Sequence, residues 1–234
     1  MLRDEVVIER VDDPKPVRSG KPRRRERAVV DVGHVEFAGV SPETSAKLQR
    51  RLGEAAAAFR AERFADAERL LASIERLAPG EAEVYELRGL TQYRLGHWNR
   101  ALADLETFAA MTGSTEQHPV IADCYRGLGR WQDAEQTWRD LRDASPGAEI
   151  VEEGRIVQAG GLADRGRVAE AIRLLDRAPA PTGQPQLHHL RRWYALADLY
   201  ERAGELSRAR RLFAQIATAR PDFGDAAERA AAVG

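Results

Sequence analysis

The chain holds a single cysteine, Cys124, so an intramolecular disulfide framework and a multi-cysteine zinc site are both excluded, and a reducing compartment suits it. No run of about 18 apolar residues occurs, and the charged start from Met1 to Arg10 is unlike a signal peptide, which argues against membrane spanning and secretion. Aromatic residues are only 6% of the chain while alanine dominates the apolar set, so closely packed helices are expected rather than a β-rich core. A surplus of charge of one sign is missing too. With 36 basic and 37 acidic residues the formal net charge is -1, which does not favour a nucleic-acid or membrane partner for the molecule as a whole. What is present, 234 residues of which 43% are apolar and 31% charged, is enough for a core and reads as a cytoplasmic, monomeric protein.

The chain divides near Ser41. Residues 1–40 carry Pro14, Pro16 and Pro22 and no helical period, so a disordered or extended tail is expected. Its charges are blocked: Lys15, Arg18, Lys21, Arg23, Arg24, Arg25 and Arg27 stand against one Glu26, with acidic stretches on both sides. A basic run of this kind can neutralise phosphates, although no aromatic interleaves it to stack on bases. Nucleic-acid contact through the tail therefore stands beside a solvated tail and docking on an acidic protein. Just after it, Val30, Val32, Val35 and Phe37 alternate loosely and are expected to pack back on the body.

From Ser41 onward a unit of about 34 residues recurs, the mark of a helical repeat. Ala67, Ala101, Ala134, Ala171 and Ala209 are spaced by 34, 33, 37 and 38 residues, and each follows a turn position by five residues: Glu62, Gly96, Gly129, Gly166 and Gly204. Three residues before each alanine stands Phe64, Trp98, Trp131, Val168 or Leu206, and four after it Leu71, Leu105, Trp138, Leu175 or Phe213. Those offsets put the apolar side chains on one helix face. The glycine ends a first helix, and the small alanine lets a second approach it closely. Ser41 followed by Pro42 marks the first N-terminus.

The pattern resembles the tetratricopeptide repeat (TPR), most fully in Trp193, Leu196, Ala197, Tyr200, Gly204, Leu206, Ala209, Phe213, Ile216 and Pro221. The second unit (Tyr85, Gly89, Tyr93, Gly96, Trp98, Ala101) and the third (Ala122, Tyr125, Gly129, Trp131, Ala134, Trp138, Pro146) carry it well, and the first and fourth less so. The whole also resembles a group of actinobacterial TPR-containing proteins with a basic N-terminal tail. The resemblance implies an all-α, right-handed α-solenoid over residues 41–234, with units at about 42–79, 80–113, 114–147, 148–186 and 187–221 and a capping helix at 222–232.

Several motifs that imitate chemistry are read as structural. Gly161 to Val168 has the glycines of a phosphate-binding loop but neither its lysine nor its Ser or Thr. His188 and His189 are adjacent, so on a helix they diverge by about 100 degrees and do not make a metal pair. Cys124 has no base or oxyanion donor in its local sequence. The four tryptophans fall at packing positions. No cofactor, metal or catalytic residue is therefore expected.

The resemblance further implies that the first helix of every pair lines a concave groove. Carried over position by position, the candidate groove residues are Phe59, Arg60, Tyr93, Arg94, Asp123, Arg126, Tyr194, Asp198 and Arg202. Arginines beside aromatic rings suit a peptide with acidic and apolar side chains. The chaperone-tail clamp of some family members is absent: Leu52, Ala56, Glu116 and Val120 occupy its places. The expected function is a non-enzymatic scaffold or adaptor that binds a partner peptide or helix. The alternatives are a ribonucleoprotein accessory factor working through Lys15 to Arg27 and, far behind, an enzyme of unknown type. The segment Val30 to Phe37 is a further candidate, as an occupant of the protein's own groove.

Overall fold

In the computed structural model residues 33 and 35–232 are described, and the basic run from Lys15 to Arg27 lies outside them. The described residues form eleven helices and no strand. In order these are α1 (Pro42–Arg60), α2 (Phe64–Glu75), α3 (Ala82–Leu95), α4 (Trp98–Thr112), α5 (His118–Gly127), α6 (Trp131–Ala144), α7 (Ala148–Asp164), α8 (Val168–Asp176), α9 (Leu187–Arg202), α10 (Leu206–Ala219) and α11 (Ala226–Ala232). Each helix packs on its neighbours in sequence, and the odd-numbered helices also touch in succession, α5 with α7 and α7 with α9, so the fold is an α-solenoid.

Local chemistry explains the helix ends. The Ser41 hydroxyl accepts a hydrogen bond from the Thr44 backbone at 3.2 Å, and Pro42 needs no partner at the first helical position. Each hairpin then turns in the same way. Gly96, Gly129, Gly166 and Gly204 have φ of 80, 71, 78 and 77°, and Glu62 takes that left-handed conformation at φ 60°. The paired bonds of a Schellman cap recur each time, for instance His97 to the Gln92 carbonyl with Gly96 to that of Tyr93, and Arg63 to Ala58 with Glu62 to Phe59. A side chain in this region costs about 1–2 kcal/mol, partly offset by the larger unfolded entropy of glycine. Glu62→Gly is therefore expected to stabilise the protein by about 0.5–1 kcal/mol, read as a rise in the denaturant midpoint.

The recurring alanines lie where the hairpins close. Ala67, Ala101, Ala171 and Ala209 are 0% exposed and Ala134 8%, with Leu71, Leu105, Leu175 and Phe213 buried one turn further along. Gly89 makes a comparable close approach, since a Cβ there would stand 2.6 Å from Leu105 Cγ and 3.2 Å from Asp104 Cβ. The end of the chain departs from the expected cap: Gly224, at φ 55°, keeps residues 222–225 in turns, and α11 begins only at Ala226. At the other end Val35 and Phe37 are each 4% exposed and join the core built on α1 and α2.

Candidate peptide groove

Helical spacing fixes which candidate groove residues share one face of the first helix of a pair. On α1, Ser45, Gln49, Leu52, Ala56 and Phe59 fall at steps of four and three, one continuous stripe. Leu52, Ala56 and Phe59 are buried, and the Phe59 ring meets Phe64 edge-on at 5.4 Å. Arg60, one residue on, is exposed. The Arg94 guanidinium lies 4.4 Å over that same Phe64 ring, which links the first two units through an aromatic face.

Across the next three units a polar track replaces the apolar stripe. The Tyr93 hydroxyl donates to Asp123 Oδ2 at 2.5 Å, and Arg126 donates through Nε to Asp123 Oδ1 at 2.8 Å and through Nη1 to Asp164 Oδ2 at 2.5 Å. Tyr93, Asp123 and Arg126 are thus brought together from α3 and α5, with α7 supplying Asp164. Burial works against the Arg126 charge, but Asp123 and Asp164 outweigh it and raise its pKa. The Arg126 side chain lies against Gly160 and Gly161 of α7, where a Cβ would stand in ordinary contact at 3.5 and 3.7 Å from its nearest atoms. Arg202 of α9 donates to the Ala163 carbonyl at 3.1 Å and continues the lacing.

The far end is closed by α11. Tyr194 is buried, stacks edge-on against Phe213 at 5.3 Å and donates to Asp225. Arg229 pairs with Asp198 at 2.6 Å and with Glu201, and donates to the Tyr194 hydroxyl at 2.8 Å. Tyr194 and Asp198 therefore meet each other through a residue of the cap, whose signal in the sequence is no more than an arginine in an alanine-rich helix. The near end is occupied as well. Val35 donates to Gln49 Oε1 at 2.9 Å, Phe37 to Ser45 Oγ at 3.3 Å, and Gln49 Nε2 donates to the Gly33 carbonyl at 2.8 Å. This segment lies along the same stripe of α1 that continues into Leu52 and Ala56.

One carboxylate on this side has an unfavourable setting. Burial raises the pKa of Glu86, the Gln117 amide opposes this by donating at 2.7 Å, and Glu116 and Glu83 add to the rise. A carboxyl whose pKa is higher folded than unfolded destabilises the fold above that pKa and ceases to do so as the pH falls through it. Glu86→Gln is expected to stabilise by about 0.5 kcal/mol at pH 7, the gain vanishing toward pH 4, as followed by denaturant midpoints across that range.

Residues 55–126, from α1 through most of α5, match the sequence model of the family described as tetratricopeptide repeat. The crystal structure of TTC0263, described as a thermophilic TPR protein in Thermus thermophilus, is 22% identical and superposes with a TM-score of 0.62, over 80% of this chain and 98% of that one. The fold is a TPR solenoid. The apo form of the quorum sensor NprR from B. thuringiensis is 19% identical with a TM-score of 0.62, and covers 84% of this chain and 60% of that one. NprR in complex with its cognate peptide NprX is 18% identical with a TM-score of 0.57, covering 84% of this chain and 61% of that one. Comparison with curated proteins finds no match.

Within this TPR solenoid no described group of three His, Cys, Asp or Glu side chains could hold a metal ion. No helix among the described residues is long and apolar enough to cross a membrane. Cys124 is buried on α5, and the rings of His188 and His189 stack on each other at 4.0 Å.

Proposed function

We propose that this TPR solenoid is a non-enzymatic scaffold holding an extended peptide of a partner protein along its inner face. The observation that carries the reading is the track Tyr93, Asp123, Arg126 and Asp164: polar groups from three successive units, locked to one another before any ligand arrives. Preorganised groups spare a ligand the entropy of ordering them. The fold shared with NprR, whose structure holds a cognate peptide, supports the same reading.

The charges bear on what kind of peptide fits. Arg126 is already matched by Asp123 and Asp164, and a strongly acidic ligand would also meet Glu83, Glu86 and Glu116. An apolar peptide with neutral polar groups suits this lining better, its side chains beside half-buried Tyr93 and Ile156. A photo-crosslinking residue at exposed Glu116 is expected to capture a defined peptide from native lysate, whereas the same residue at exposed Arg139 on α6 captures none. The synthetic peptide should then bind Asp123→Ala about tenfold more weakly, the effect of one lost charge-assisted network. Equal capture from both positions, or unchanged affinity, would remove the groove from consideration.

A further inference from the structure

Where α2 meets α3, α4 meets α5 and α6 meets α7, the contacts share one polarity. At these three places the first helix of the following unit carries the donors and the second helix of the unit before it the carboxylates. Arg88 and Gln92 of α3 meet Glu75 and Glu68 of α2, Tyr125 of α5 donates to Glu106 of α4, and Arg165 of α7 donates to Glu135 of α6 at 2.7 Å. The first unit has no described unit before it, and its leading face carries Arg51, with Glu54 and Ala58 in the register of Arg88 and Gln92. Its surface between α1 and α2 is a hollow of about 810 Å³ over Ala57, Ala58 and Leu70, rimmed by Arg51, Arg63, Arg69 and Arg76 with Glu54 and Asp66. Asp66 is held by Arg63 at 3.1 Å and by Arg69, so the rim stays positive. Arg51 precedes Ala67 by sixteen residues, as Arg155 precedes Ala171, and Arg155 lies 5.6 Å over the Trp138 ring of the preceding unit.

We propose that Met1–Asp13 of this same chain seats on the arginine-rimmed face. The segment offers Asp4, Glu5, Glu9, Asp12 and Asp13 against Arg3 and Arg10, around an apolar centre at Val6, Val7 and Ile8. Such a mixture is what interior second helices present to their followers. Its tether is short enough, because the described chain meets α1 at Gly33 and the intervening stretch of about 20 residues spans up to roughly 65 Å, several helix diameters. A tethered segment acts at millimolar effective concentration. The basic run Lys15–Arg27 has the wrong sign for this rim. So has the last unit of a second copy, which presents Arg208, Arg210 and Arg211. An open stack needs both ends covered, and α11 covers the other. The proposal concerns a different face from the groove and stands apart from that reading.

The test places a photo-crosslinking residue at exposed Ala57 of the full chain, in an equal mixture of light- and heavy-isotope protein, with Arg139 as the control position. The expected product is an intrachain crosslink to residues 1–13. Its yield should fall about tenfold both in Arg69→Glu/Arg76→Glu and when the five acidic residues are changed to their amides, the sum of several exposed ion pairs. Mixed-isotope crosslinks, crosslinks to residues 15–27, yields unaffected by either set of changes, or no product above the control would each overturn the assignment.

Discussion

Arg192→Met is expected to cost about 3–5 kcal/mol of stability, the usual effect of removing one partner from a buried ion pair. Its side chain is 4% exposed, donates to Glu152 Oε1 at 3.3 Å and to the Pro179 carbonyl at 2.8 Å, and so ties α9 to α7 and to the loop after α8. Without it, buried Glu152 would be left with Arg155, at 3.3 Å, and a hydrogen bond to the loop would be lost. In a domain of this size each kcal/mol shifts the midpoint of thermal unfolding by about 2–4 °C, so a fall of roughly 6–12 °C or more should be seen. Glu152→Met added to Arg192→Met should recover only part of it, because the apolar pair replaces the buried ionic one while Arg155 loses its carboxylate. A single variant within about 1 °C of wild type would show that the pair contributes little.

Phe213→Ala should be comparably severe, at about 3–5 kcal/mol, through lost transfer energy and the cavity left behind. The ring is 0% exposed, receives the edge of Tyr194, and carries the Arg229 guanidinium 4.2 Å above its face. The change should therefore also release α11, seen as early amide exchange across Ala226–Ala232 while α3 and α4 keep their protection. Leu206→Ala, at a side chain 51% exposed, is the control and should be near neutral.

Phe213 belongs to the part of the molecule that the sequence makes legible. It stands four residues after Ala209, as Leu71 does after Ala67, and a repeated offset of this kind carries phase, burial and hairpin closure together. The Glu62 turn is legible for the same reason, because its place in the register outweighs a residue type that disfavours the conformation. The pair Glu152 and Arg192 is not. Forty residues separate them, and both sit in charged stretches that read as solvated helix surface. The inner face falls between these cases. Periodicity puts Tyr93, Asp123 and Arg126 on one side of the solenoid, yet a period says nothing of side-chain rotamers, and so not that Arg126 reaches Asp164 on the next unit. Arg229 is not legible either, because a short terminal helix rich in alanine repeats no earlier pattern.

Arg126 spans α5 and α7, and Arg202 spans α9 and α7, so directional bonds cross between the first helices of successive units. Bending that draws α5, α7 and α9 apart must stretch these bonds, and bending that presses them together does not. Resistance to bending is therefore expected to depend on its direction, greater where those helices separate than where they close.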